Sequence, residues 1–172
     1  MKLGDDDFTL FGLAQRFEID RSALDERWRA LQAEVHPDRF AGQGTAAQRV
    51  AMQWSVRVNE AHRRLKDPLT RAAYLCELRG APVAAENNNA MPADFLHQQM
   101  AWREELDDAA DPSALQRIDA RIGAQEQGLM AQLKTQIDDR PDMPAAAQSV
   151  RALMFVKRFR QDIDRRLEAL ET

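Results

Sequence analysis

The spacing of the apolar residues constrains this chain more than any other feature. They recur three and four positions apart almost throughout, the period of a helix lying against a core. Strict apolar alternation, the mark of a half-buried strand, is never sustained, so an all-α fold is expected. Leu24, Trp28, Leu31 and Val35 step by four, three and four behind Asp20, a natural N-cap. This helix should stop at Pro37, whose ring would clash with the preceding turn. A polar loop from Arg39 to Thr45, with Gly42 and Gly44, leads to a longer helix over about 46–66. That helix should bury Val50 or Ala51, then Trp54, Val58, Ala61 and Leu65. Asp67-Pro68 reads as an N-cap with a first-turn proline. It opens a short helix through Tyr74 and Leu75 that Gly80 can end.

The apolar period disappears between Ala81 and Met91, where Pro82 and the Asn87-Asn88-Asn89 run lie, and Pro92 follows; residues 81–92 are the expected linker. Three further helices should follow, over about 92–110, 112–139 and 144–170, punctuated by Asp111-Pro112 and Arg140-Pro141. Phe95, Gln99, Trp102 and Leu106 form the inward stripe of the first. The second carries Leu115, Ile118, Ile122, Leu129, Leu133 and Ile137. The third carries Leu153, Val156, Phe159, Ile163, Leu167 and Leu170. Short connections favour a small three-helix bundle over 93–172.

Composition limits the function classes. The 172 residues carry 24 Lys and Arg against 28 Asp and Glu, a net charge of −4 that does not suit a general binder of nucleic acid or anionic membrane. The acidic excess sits beyond the linker: residues 1–80 hold 13 basic and 12 acidic side chains, residues 81–172 hold 11 and 16. One cysteine, Cys76, excludes an internal disulfide and a multi-thiolate zinc site. No apolar run reaches the length of a membrane span, and the start of the chain resembles neither a secretory signal nor a transit peptide. A soluble protein of a reducing compartment is expected.

Two sites stand out. The first is His36-Pro37-Asp38, held between two helices, with Arg27 and Arg29 on the helix leading in and Arg39 directly after. Three readings compete. The tripeptide can be a plain helix stop with a solvated aspartate. It can be a His/Asp catalytic pair of a small hydrolase, although no nucleophile or orienting group stands nearby. It can be part of a metal site, although His62 and His97, the other histidines, show no ligand spacing. A hydrolase would need a concave pocket around His36 and Asp38.

Residues 8–80 resemble a J-domain, the module by which co-chaperones stimulate ATP hydrolysis in DnaK-type chaperones. The likeness covers the His-Pro-Asp turn, Val58-Asn59-Glu60-Ala61 followed by Leu65, and the Asp67-Pro68…Arg71…Tyr74 closing helix. It implies that residues 1–80 form a helical hairpin with short flanking helices. It also implies that His36, Pro37 and Asp38, with Arg27 as supporting charge, bind the chaperone's nucleotide-binding domain. The helix before the turn departs from a strongly basic pattern, since Asp25, Glu26 and Glu34 are interleaved.

The second site is the helix over 92–110. At about 100° per residue, Leu96, Met100, Glu104 and Asp108 form a row that drifts around the side away from the core. Two apolar side chains followed by two carboxylates make a candidate binding stripe, and methionine adapts readily to a partner surface. The plain alternative is a widened core face with solvated acids. Phe155, about 100° off the stripe of the third helix, can extend the patch across an antiparallel neighbour.

Phe8-Thr9-Leu10-Phe11-Gly12-Leu13, together with Phe95-Leu96…Trp102-Arg103-Glu104-Glu105-Leu106-Asp107, is similar to the HscB family of iron–sulfur cluster biogenesis, over essentially the whole chain. The resemblance implies a non-enzymatic co-chaperone of the bacterial cytoplasm, as a monomer or weak dimer with no cofactor. Its J-domain would activate the chaperone HscA, and its C-terminal bundle would carry the scaffold protein IscU; the alternative is a generic J-domain co-chaperone whose bundle binds another client protein or oligomerises. The scaffold-binding pattern maps onto Leu96, His97, Met100, Ala101, Glu104, Asp108 and Phe155. Here His97 stands where a large apolar side chain is usual, and Ala101 where an acid is expected. The paired Cys-x-x-Cys motifs of some eukaryotic relatives are absent, which favours a bacterial form without its own metal site. The chain also has no G-x-x-x-x-G-K-[ST] phosphate loop.

Overall fold

The computed structural model describes residues 1–83, 91 and 93–172, all helices and turns with no strand among them. Most of the expected linker therefore lies outside the described residues. The chain divides into two units, Met1–Leu75 and Cys76–Thr172.

The first unit begins with a short helix, α1 (Asp7–Phe11), capped by Asp6, whose carboxylate accepts from the Thr9 amide. It ends at Gly12, whose φ of 65° is the left-handed region that glycine enters without strain. α2 (Arg21–Val35) starts where Asp20 accepts from the Ser22 and Ala23 amides. α3 (Thr45–Lys66) returns antiparallel to it, as the cross-links show. His62 Nε2 donates to Asp25 at 2.8 Å, Trp28 Nε1 to Asn59 at 3.0 Å, and Gln32 meets both Asn59 and Ser55. Leu24, Leu31, Val58, Ala61 and Leu65 are buried along this hairpin. Of the two alternatives at the start of α3, Ala51 is the buried one and Val50 is exposed. α4 (Pro68–Leu78) closes the unit and continues past its boundary. Asp67 accepts from the Thr70 amide at its start, and its end is closed by the Ala81 amide on the Cys76 carbonyl, with Gly80 at φ 82°. Cys76 is buried, and burial pushes its thiol up to about 11, which leaves it an inert packing residue.

The hydrogen bond from His62, helped by Arg21, holds the Asp25 carboxyl below its ordinary range. A carboxyl lowered by folding contributes stability above its unfolded pKa and loses it as pH falls through the folded value. Asp25→Asn should therefore lower stability at neutral pH. The difference from the parent chain should vanish in acid, read by urea denaturation from about pH 6 to about pH 2.

Asp7 is fully buried at the start of α1. Arg57 Nη1 and Arg64 Nη1 approach its two oxygens at 2.7 and 3.2 Å, at angles outside hydrogen-bond geometry, so the contact is chiefly Coulombic. The Asp7 amide donates to the Tyr74 hydroxyl at 3.0 Å, and the Arg64 guanidinium lies 4.6 Å from the Tyr74 ring centre. One residue thereby ties α1 to α3 through its carboxylate and to α4 through its amide.

The second unit holds α5 (Ala93–Asp108), α6 (Pro112–Lys134) and α7 (Met143–Glu171). Asp111 and Asp142 cap α6 and α7 through the Ala114 and Ala145 amides. The expected second helix runs to Asp139 as foreseen, but its last five residues, Thr135–Asp139, widen into a π turn. The three helices share a core in which Trp102 meets Phe95, Phe155 and Phe159 at centroid distances of 6.0, 6.2 and 5.8 Å. Ile118 and Ile122 complete it from α6, and Val156 and Ile163 from α7.

Arg160 crosses from α7 to α6, donating to both oxygens of Asp119 and to Glu126. The guanidinium lies over Gly123, where an added Cβ would stand 3.5 Å away, in ordinary van der Waals contact.

Two expectations about this core need correcting. Gln99 is only half-buried, and its amide donates to Met91 Sδ at 3.1 Å. Leu170 is exposed: Arg166 already stands level with Asp107, so the last turn of α7 runs past the end of α5 at Asp108.

Candidate docking surfaces

The first surface is the corner after α2. His36 takes extended backbone angles (φ −61°, ψ 127°) and serves as both the C-cap of α2 and the N-cap of a 3₁₀ turn, Pro37–Phe40. Proline ends the helix because it has no amide to donate and its φ is fixed. The Asp38 amide donates to His36 Nδ1 at 3.3 Å, and the Arg39 guanidinium caps the Ala33 carbonyl at 3.1 Å. Because Nδ1 is occupied as an acceptor, the Asp38 carboxylate 3.6 Å away gains no ion pair from it. Asp38 is 92% exposed, with a carboxylate free to meet a partner. A carboxylate in open water beside a ring engaged with the backbone is not arranged as an acid–base pair. An apolar groove of about 450 Å³ opens next to the turn, lined by Val35, Phe40, Val50 and Trp54.

Arg27 is less free than its place on the helix suggests. Its Nε donates to the Phe11 carbonyl at 3.3 Å, which ties α2 to the end of α1. Its guanidinium would lie 3.7 Å from a Cβ at Gly12.

The second surface lies on α5. Phe95, Trp102 and Leu106 are buried, while Leu96 is 49% and Met100 71% exposed, large values for apolar side chains. Residues 96, 100, 103 and 107 follow the i, i+4, i+7, i+11 spacing of one helical row. The Arg166 guanidinium of α7 closes that row, bonding Asp107 at 2.8 Å and the Leu106 carbonyl at 2.6 Å. At the other end Phe155 is half-buried, 5.9 Å from the Phe95 ring. Phe155 thus borders the row that carries Leu96 and Met100. It does so from a parallel neighbour, not an antiparallel one: Phe95 pairs with Phe155, Trp102 with Phe159 and Asp107 with Arg166, so residue numbers rise together on both helices. In an up-down-up bundle the first and third helices must run the same way.

His97, Ala101, Glu104 and Asp108 are exposed one row further out. The structure therefore brings Leu96, Met100 and Phe155 together, with the other four flanking them. Among the described residues no group of three His, Cys, Asp or Glu side chains could hold a metal ion, and no helix is long and apolar enough to cross a membrane.

A family model described as the HSCB C-terminal oligomerisation domain matches residues 91–164. A co-chaperone HscB homologue of Bordetella petrii is 50% identical over 160 residues, covering 92% of this chain and 94% of its own length. The chain belongs to the HscB co-chaperone family. A second HscB homologue, from Burkholderia multivorans, is 46% identical over 175 residues, covering 100% of this chain and 99% of its own. Among solved structures, chaperone HscB from Vibrio cholerae matches with a TM-score of 0.82 at 36% identity, over 96% of this chain and 99% of that one. Human HscB, at 23% identity, supports the fold alone: its TM-score is 0.89 over 96% of this chain and 84% of that one.

The HscB-like sequence pattern did not single out Asp7 or Arg158. Asp7 sits in a run of three aspartates that reads as a solvated tail, and Arg158 shows itself only once the row through Phe155 is followed along α7.

Proposed function

We propose that this HscB-family chain binds the iron–sulfur cluster scaffold IscU through the α5 surface and Phe155. It then presents the scaffold to the DnaK-type chaperone HscA in the bacterial cytoplasm. His36, Pro37 and Asp38, supported by Arg27, would dock on the chaperone's nucleotide-binding domain and stimulate its ATP hydrolysis.

The observation that carries this reading is the unpaired, almost fully exposed Asp38 carboxylate on a proline-stiffened turn. A partner guanidinium can meet it with two parallel charge-assisted hydrogen bonds, strong and selective in geometry. The chemistry stays with the chaperone. Docking accelerates hydrolysis to the extent that the turn binds the hydrolysis-competent conformation better than the resting one. The exposed Leu96 and Met100 support the other half of the reading, because apolar area left in water is regained when a partner covers it.

Steady-state ATPase measurements with HscA and the scaffold test both halves. Asp38→Asn is expected to abolish stimulation while leaving scaffold affinity unchanged. Leu96→Ala/Met100→Ala should lose the scaffold and keep the stimulation seen without it. Normal stimulation by Asp38→Asn would remove the first surface, and unchanged scaffold affinity in the double variant would remove the second.

A further inference from the structure

We propose that the α5–α7 strip is electrically polarised across its width, and that Arg158 fixes which way a docked segment lies on it. This rests on the scaffold reading of the same strip. Residues 155, 158, 162 and 166 form one row on α7, at i, i+3, i+7 and i+11, beside the row of 96, 100, 103 and 107 on α5. The two rows border each other, since Phe155 meets the Phe95 ring edge-on and Arg166 pairs with Asp107. That register sets Arg158 level with Met100.

The charges along the two rows are not equivalent. Asp107 is engaged by Arg166, and Asp162 by Arg165 at 3.3 Å. Among the described residues, Arg158 and Arg103 are exposed and have no ion-pair partner. Glu104 and Asp108, on the outer row, are likewise exposed and unpaired. The apolar strip therefore has free cations along the α7 seam and free carboxylates along its outer edge. Charges flanking an apolar contact set orientation and association rate more than they set affinity. The complementary segment carries apolar side chains for Leu96 and Met100, a carboxylate on the flank facing Arg158, and a basic side chain on the flank facing Glu104. Ala101, standing where the resemblance expects an acid, keeps the outer edge less acidic, which leaves Arg158 and Arg103 a larger share of the local field.

Calorimetric titration of the full chain with the cluster scaffold protein, at low and high salt, is the test. Arg158→Glu is expected to weaken binding roughly three- to tenfold at low salt. Most of that difference should disappear at high salt, and Arg158→Lys should bind like the parent. Arg117→Glu on α6 makes the same change in net charge away from the strip and should have no effect. Parent-like binding by Arg158→Glu, or an equal loss in Arg117→Glu, would overturn the proposal. Unchanged affinity in Leu96→Ala/Met100→Ala would show that the scaffold does not use the strip, and the proposal would fall with the reading beneath it. Sedimentation of Arg158→Glu without scaffold distinguishes one more outcome. If the substitution alters self-association instead, the strip is a contact between copies and the proposal fails.

Discussion

Asp7→Ala is expected to lower the stability of the first unit by about 2–4 kcal/mol. The carboxylate is fully buried against Arg57 and Arg64. Removing one member of a buried ion pair is costly because the remaining charge keeps its desolvation without its attraction. Here the cost is moderated, since the Arg57 and Arg64 side chains retain 21% and 41% of their exposure and can turn toward water. Arg57→Ala should cost less than Asp7→Ala, because Arg64 still faces the carboxylate. Amide hydrogen exchange is the suitable measurement in a chain of two units, where a single melting midpoint mixes transitions. Protection should fall in α1 and at its contacts in α3 and α4. Unchanged protection there would mean that the apolar contacts of Phe8 and Phe11 hold α1 without the charge.

Trp102→Ala should cost about 3–5 kcal/mol in the second unit. The indole fills the space between α5 and α7 and touches three other rings. Truncation removes its own burial and leaves a cavity that Phe95, Phe155 and Phe159 cannot all collapse into at once. Exchange should accelerate in α5 and α7. The same substitution unseats Phe155, so scaffold affinity should drop even under conditions where the bundle remains folded. Trp102→Phe separates the two effects: it keeps an aromatic neighbour for Phe155, and should recover binding better than it recovers stability. A Trp102→Ala chain with parent-like exchange would show that the aromatic cluster does not hold α5 in place.

The helix faces were legible from spacing because burial on a helix follows the period of the backbone. Leu24, Leu31, Val58 and Leu65, like Phe95, Trp102 and Leu106, lie inside as their positions foretell. Pro37 marked the corner for the same local reason. What escaped depends on residues far away in the chain. Nothing near Asp7 distinguishes it from Asp5 and Asp6; its burial is decided by Arg57, Arg64 and Tyr74. The choice between Val50 and Ala51 turned on which of two adjacent faces met α2. The fate of Leu170 turned on where a neighbouring helix stopped. Arg27 read as a free surface cation because its partner is a backbone carbonyl, which no pattern of side chains reveals. The candidate surfaces were legible as residues. Their neighbourhood was misread: three helices joined by short connections must set α5 and α7 in parallel register, which the placing of Phe155 on an antiparallel neighbour overlooked.

That register means the proposed receptor is a discontinuous epitope. Leu96 and Met100 come from one stretch of chain, and Phe155 and Arg158 from another with the whole of α6 between them. A free peptide copied from α5 would carry the oily side chains but neither the aromatic border nor the guanidinium beside it. The bundle therefore acts as a clamp that brings two half-surfaces into one, and no short fragment of the chain can stand in for it.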